Sequence, residues 1–249
     1  MRHLPALLAL ATLSAMPLAP AAHAEDALQL VKQAAENYAK DVRGVIGYRS
    51  QTESRISAPI LNQSVSSTSF MIQKDGVPVR VVMERMVTNG KEASRDELSK
   101  QEAQTNAGFK GGKGFFKAPY DARHMASYTF TLENCDGCAP GSTAIRFTSA
   151  VKDDQHGKGL MILDSQQRVR EVRYTPNVYP PNVTRGELTL IRDEVGKDMT
   201  GLTGLKADYQ GAMGLIKGSF VMNQRNTAFR RYSSVDEALA QTETQASKP

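Results

Sequence analysis

Between Val65 and Gly90, apolar and polar residues alternate on both sides of Asp75-Gly76. Such a pair between two alternating runs is the strongest short hairpin signal a sequence offers. A two-residue loop there sets Lys74 against Val77, Ile72 against Val79, Phe70 against Val81 and Thr68 against Met83. Side chains alternate across a strand, so Phe70, Ile72, Val79, Val81 and Met83 are expected on one apolar face. Ser67, Ser69, Met71, Arg80, Val82 and Glu84 fall on the other, more polar face. The hairpin thus reads as the middle of a long antiparallel sheet, wet on one side and covered on the other.

Upstream, Leu28, Val31, Ala35, Tyr38 and Val42 recur at helical spacing, which predicts a helix over Glu25–Val42. Gly44 ends that period, and Ile46 to Ile56 alternate as a long first strand, with Pro59 and Asn62 marking its turn. Downstream, Ser94 and Glu97 form a capping-box pattern that starts a helix from about Arg95 to Gln104. Thr105–Ala126 then reads as irregular, with Gly108, Gly111, Gly112, Gly114 and Pro119. The same stretch interleaves Phe109, Phe115, Phe116 and Tyr120 with Lys110, Lys113, Lys117 and Arg123. From Tyr128 onward, strand segments separated by turn residues recur at intervals of about ten. They are SYTFTLE, STAIRFTSAVK, GKGLMILD, RVREVRYT, GELTLIRDEV, LTGLKADYQGAM, LIKGSFVMNQ and TAFRRYSS. From Asp236 the sequence is polar and is expected to make at most a helical turn before fraying, so 236–249 is read as a flexible tail.

The first residues change the setting. Arg2 and His3 precede a short apolar run, and Ala22-His23-Ala24 completes a secretory signal pattern. Cleavage is expected after Ala24, leaving one domain over 25–235. The run is too short for a stable membrane span, which disfavours an uncleaved anchor. Its alanine-rich character is of bacterial type, so the expected destination is the periplasm. Removing 24 of 249 residues takes Arg2 away, leaving 30 basic against 26 acidic residues. A balance of +4 is mild, and nucleic acid is not an expected partner.

Candidate chemistry is sparse. Cys135 and Cys138 form a CxxC, but Asn134, Asp136, Gly137 and Pro140 make its setting a turn. A structural disulfide is the expectation, because a redox pair would need a helix N-terminus and a metal site a second ligand pair. His124 and His156 lie apart, and no nucleophile motif accompanies them, so no catalytic site, cofactor or metal is expected. The segment Phe109–Phe115 resembles a phosphate loop only superficially, because no Ser or Thr follows its lysines.

The order of elements resembles the half-barrel superfamily of periplasmic outer-membrane lipoprotein carriers and lipoprotein-sorting proteins, over most of Glu25–Ser233. That order is an exported amphipathic helix, a long strand, a hairpin ending in Asn89-Gly90-Lys91, a helix-and-loop insertion and a run of strands. The resemblance implies a mainly β (α+β) fold: one strongly curved antiparallel sheet, an incomplete barrel, with the N-terminal helix and a lid at Arg95–Tyr120 on its concave face. It implies that acyl chains of a lipid or lipoprotein bind inside, with Phe70, Ile72, Val79, Val81, Met83, Phe109, Phe115, Phe116 and Tyr120 as the candidate lipid-binding residues. The chain departs from the family in lacking Trp. For the aromatic–basic loop two accounts stay open, rings docked into the core or a lid held near lipid headgroups. An envelope membrane protein is a candidate partner, and peripheral membrane contact a candidate mode. The competing functional reading is a periplasmic regulatory or interaction protein that uses the same scaffold to sense lipoproteins or to bind a protein partner.

Overall fold

The computed structural model describes residues 20–110, 116–135, 137–213 and 216–246. Helix α1 (Pro20–Asp41) leads into β1 (Val45–Ala58), β2 (Leu61–Lys74), β3 (Val77–Thr88) and the short β4 (Lys91–Glu92). Helix α2 (Arg95–Lys110) follows, then β5 (Tyr128–Glu133), β6 (Thr143–Ser149), β7 (Gly157–Leu163) and β8 (Val169–Pro176). The chain finishes with β9 (Val183–Gly196), β10 (Met199–Met213), β11 (Ile216–Tyr232) and helix α3 (Val235–Ala246). Expected residues 1–19 of the signal segment, and Phe115, lie outside the described residues; the expected cleavage point falls within the first turns of α1.

All eleven strands form one antiparallel sheet in the order β4-β3-β2-β1-β11-β10-β9-β8-β7-β6-β5. It does not close on itself, so the architecture is a curved, incomplete barrel, as the resemblance implied. The centre of the sheet joins chain beginning to chain end: Val45 pairs with Tyr232 and Ser57 with Ser219.

The face on which α1 packs, here the inner face, holds the main core. Ala27, Val31 and Ala34 of α1 meet Phe130, Ile145, Phe147, Met161, Leu163 and Val172 of β5–β8. The expected α1 stripe is present, with Val31, Ala35 and Val42 buried and Tyr38 packed on the core; Ala27 and Ala34 widen it, and Leu28 is only partly buried. A smaller cluster on the outer face packs α3 on Val45, Phe70 and Ile72, with Ala238 fully buried. Residues 235–246, polar enough to read as a fraying tail, thus form a docked helix, because Val235, Ala238 and Leu239 suffice for a narrow apolar stripe.

The tight turn is as expected: Asp75 and Gly76 both adopt positive φ, 50° and 79°, the signature of a type I′ hairpin. Lys74 pairs with Val77, but a bulge between Ile72 and Gln73 then sets Ile72 against Arg80, Met71 against Val81 and Phe70 against Val82. The expected single face is thereby split. Phe70 and Ile72 lie on the outer face with Val82, Val81 lies on the inner face beneath α2, and Val79 is 37% exposed. One extra residue reverses the side chains beyond it, until a second bulge between Thr68 and Ser69 shifts the register again and sets Ser67 against Met86.

Two further elements differ from the sequence expectation. The capping box is present, with Ser94 N–H donating to Glu97 Oε2 at 2.7 Å and Glu97 N–H to Ser94 Oγ at 3.3 Å. The helix it starts continues through Gly108 and Phe109 to Lys110, six residues beyond Gln104. The last two strand segments are one 17-residue strand, β11. No Gly or Pro interrupts Asn223–Thr227, and an irregularity opposite Gly47–Arg49, with Ala228 at positive φ, bends the strand instead of ending it. Similarly, the β1–β2 turn is Pro59-Ile60, and Asn62 lies inside β2.

Candidate functional site: an apolar trough on the inner face

The antiparallel registers align inner-face residues into rows across six strands. One row is Leu190, Leu205, Gln224, Thr52, Ser67 and Met86, from β9 to β3. The next is Leu188, Ala207, Met222, Ser54, Val65 and Thr88; beyond it come Gly186, Tyr209, Phe220, Ile56 and Gln63. None of these positions is charged. Their polar members are Ser, Thr and Gln, whose hydroxyl and amide groups cost far less to cover than an ion does.

The outer face of the same strands is the reverse. Arg225, Lys206, Glu53, Asp208, Glu187 and Arg55 alternate with the inner residues and are all exposed. An open pocket of about 520 Å³, lined by Ile191, Thr203, Arg225 and Phe229 among others, opens on this charged side where β10 and β11 part.

Helix α1 and the segment after α2 cover the inner face of β5–β8. Tyr120 is buried there, its ring edge-on to Tyr38 at 5.0 Å, and Phe116 packs on Tyr174 at 4.3 Å. These two rings therefore dock into the core. Beyond them Ile56, Val65, Met86, Leu205, Tyr209, Phe220 and Met222 remain half-buried. Six strands about 4.8 Å apart span roughly 24 Å, the length scale of a long acyl chain. Tyr209 and Phe220 stack at 6.4 Å across the far row. The Tyr209 ring occupies the space a Cβ at Gly186 would need, 2.1 Å away.

A buried polar knot fixes α1 in place. Asp41 Oδ1 accepts the Thr200 N–H at 3.0 Å, and Oδ2 accepts the Thr200 hydroxyl. Arg192 donates to Thr200 O at 3.1 Å, reaches Asp41 at 3.9 Å, and sets its guanidinium over the Tyr38 ring at 5.0 Å. Burial pushes the Tyr38 hydroxyl up, against the pull of Arg192, and pushes Tyr48 up to about 12. These phenols stay neutral. Arg231 closes the helix end by donating to the carbonyls of Lys40, Asp41 and Arg43.

The other sequence candidates are held structurally. Cys135 and Cys138 form a disulfide in the β5–β6 turn, with Cα atoms 5.5 Å apart. His156 Nδ1 lies 2.9 Å from Asp153, and His124 follows the Asp121–Arg123 pair, so the two histidines serve separate loops. Among the described residues no group of three metal-ligating side chains occurs, and no helix is long and apolar enough to cross a membrane. Of the expected lipid-binding residues, Val81 and Met83 lie on the inner face, near the trough. Phe70 and Ile72 lie beneath α3, and Phe109 is partly buried on α2. The residues that line the trough come mostly from β9–β11, whose alternation was legible but whose neighbours were not.

No protein-family profile and no curated protein matches the sequence. Solved structures similar in fold include an outer membrane lipoprotein-sorting protein domain from Vibrio parahaemolyticus, 10% identical, with 88% of this chain and 98% of that one covered at a TM-score of 0.44. A DUF1329 family protein from Desulfovibrio piger is 12% identical, with 89% and 98% covered and a TM-score of 0.41. MucB, in its complex with MucA from Pseudomonas aeruginosa, is 8% identical over 84% of this chain, with a TM-score of 0.25.

Proposed function

We propose that the protein is a non-enzymatic periplasmic carrier, its signal segment removed after Ala24, that shelters an acyl chain of a lipid or lipoprotein in the inner-face trough. One observation carries this reading: three successive rows of the inner face hold no charge and keep large apolar side chains half-exposed, while the outer face of the same strands is studded with ions. Leaving such a surface in water is unfavourable by roughly 25 cal/mol per Å², and an acyl chain laid across the strands removes that cost. The methionines Met83, Met86 and Met222 suit such a ligand because their flexible thioethers adapt to varied chain shapes.

The test combines mass spectrometry of organic extracts of the protein purified from its own periplasm with binding of a fluorescent fatty acyl probe. Leu205→Glu places a charge on the trough floor and should abolish probe binding, whereas Lys206→Glu, on the outer face, should leave it intact. An extract without lipid, together with a wild-type protein that ignores the probe, overturns the reading. A stable protein partner recovered without lipid would favour the sensing or regulatory alternative.

A further inference from the structure

We infer that the rim of the sheet where the trough opens is a docking surface for an anionic phospholipid membrane. The rim is built from three neighbouring connections. The β1–β2 turn lies beside the start of β11, because Ser57 pairs with Ser219. The end of β10 meets the β8–β9 link, because Ala212 N–H donates to Asn182 O at 2.8 Å. Tyr179 ties that link to β9 through paired hydrogen bonds between its hydroxyl and Gly186, each 3.2 Å.

Two features set this rim apart. First, it exposes large aliphatic side chains: Ile60 is 75% exposed, Leu61 48% and Val178 43%. Ile60 lies in the two-residue turn Pro59-Ile60, where Pro59 restricts the backbone, and Leu61 opens β2, so presenting them to a bilayer costs little further ordering. Second, the described residues of the rim carry no carboxylate. Ser57–Ser64, Asn177–Gly186, Gln210–Ala212 and Lys217–Ser219 contain no Asp or Glu, in a chain that has 26. Their charges are the exposed cations Arg185 and Lys217. The nearest acids lie just behind the rim: Glu187 and Asp208 on the outer face and Glu92 on β4. Asp153 and Asp154 of the β6–β7 loop stand beside Val178, whose N–H donates to Asp153 O at 3.2 Å. Asp153 is already committed to the His156 ring and to the backbone N–H groups of Gln155 and His156.

Apolar residues at a turn tip, flanked by cations and free of acids, match a headgroup layer with acyl chains beneath it. The rim is also continuous with the far row of the trough, where Ile56, Phe220 and Tyr209 lie, so a docked protein turns the open end of the trough toward the bilayer. This inference adds a surface to the carrier reading and does not depend on it.

The experiment is co-sedimentation of the exported protein with vesicles of phosphatidylethanolamine and phosphatidylglycerol, against vesicles of phosphatidylcholine alone. Binding is expected to the anionic vesicles and to weaken with added salt. Ile60→Asp/Leu61→Asp should reduce it at least tenfold and Lys217→Glu about fivefold. Val221→Asp, an exposed aliphatic position on the outer face, should leave it unchanged. All three variants should melt like the wild type, since the side chains replaced are exposed, and should still bind the acyl probe in vesicle-free solution. Failure of the wild type to bind anionic vesicles, equal binding by Ile60→Asp/Leu61→Asp, or binding only to vesicles that contain a membrane protein overturns the inference. Loss of probe binding by the wild type would instead overturn the carrier reading and leave the rim standing.

Discussion

Asn106 lies against Val81 as a neighbouring strand would: its carboxamide accepts the Val81 N–H at 2.8 Å and donates to the Val81 carbonyl at 3.1 Å. Helix α2 runs along the outer edge of β3, which β4 pairs only at Val87 and Thr88. Glu102 extends the arrangement by accepting the Met83 N–H at 3.1 Å while pairing with Arg80 at 3.0 Å. Helix side chains thereby satisfy an edge that would otherwise invite pairing with another chain. Asn106→Ala leaves a buried donor and acceptor unmet, at about 1–3 kcal/mol for each group. The variant should melt well below the wild type, and exposed Gln101→Ala should not. Equal melting temperatures would show that α2 does not protect the edge.

The hairpin bulge gives a second expectation. Val79→Asp places a carboxylate at an exposed position and should be tolerated, whereas Val81→Asp buries one in a site 2% exposed. An unpaired buried charge costs several kcal/mol, a large part of the roughly 5–15 kcal/mol that holds a domain folded. Thermal melts that rank Val79→Asp as the worse variant would restore the bulge-free register.

The hairpin also shows how far local signals reach. Asp75-Gly76 dictated its turn because only residues at ease with positive φ fit there, and Ser94 with Glu97 started α2 for an equally local reason. The bulge at Ile72–Gln73 has no such signal, since it answers to tertiary packing on either side of β2. The trough was half legible. Leu205, Ala207 and Tyr209 visibly alternate with Lys206, Asp208 and Gln210, so an apolar face on that strand could be read. That Ile56, Met86 and Met222 join it depends on β1 pairing with β11, a contact between chain ends that no short window contains. Likewise Ala238 looked unremarkable in a polar segment until the outer face supplied a partner.

The knot around Asp41 should be strongly coupled. Arg192→Met removes the cation and leaves a carboxylate 4% exposed on the residue as a whole, so a loss of about 3–5 kcal/mol is expected. Asp41→Asn keeps a group able to meet Thr200 but changes the charge balance. Combined with Arg192→Met, it should recover part of the loss, because no ion remains buried. Strictly additive losses in denaturant melts would mean that the two side chains act independently.

Acid should loosen the loop between α2 and β5. Burial holds the His124 imidazole below its ordinary range. At Asp121 burial pushes upward, but hydrogen bonds and charge from Arg123 outweigh it and hold the carboxyl below the usual carboxylate range. Both groups bind protons more readily when the chain unfolds, so both contribute stability that is complete above their unfolded values. That stability is lost as pH falls, first from about 6.5 for His124 and then below about 4 for Asp121. His124→Phe should flatten the first decline in a melting-temperature profile, and Asp121→Asn the second. A wild-type profile flat between pH 7 and 5 would remove His124 from this account.

The pairing of β1 with β11 also orders events in time. Until β11 has been made, β1 has one neighbouring strand and an exposed hydrogen-bonding edge in what becomes the middle of the sheet. In the sheet itself the two wings, β1–β4 and β5–β10, meet only through β11, a pairing that spans almost the whole domain. Such separation in sequence makes the final step slow. A chain emerging from its N-terminus therefore stays unlocked until its C-terminal strand arrives.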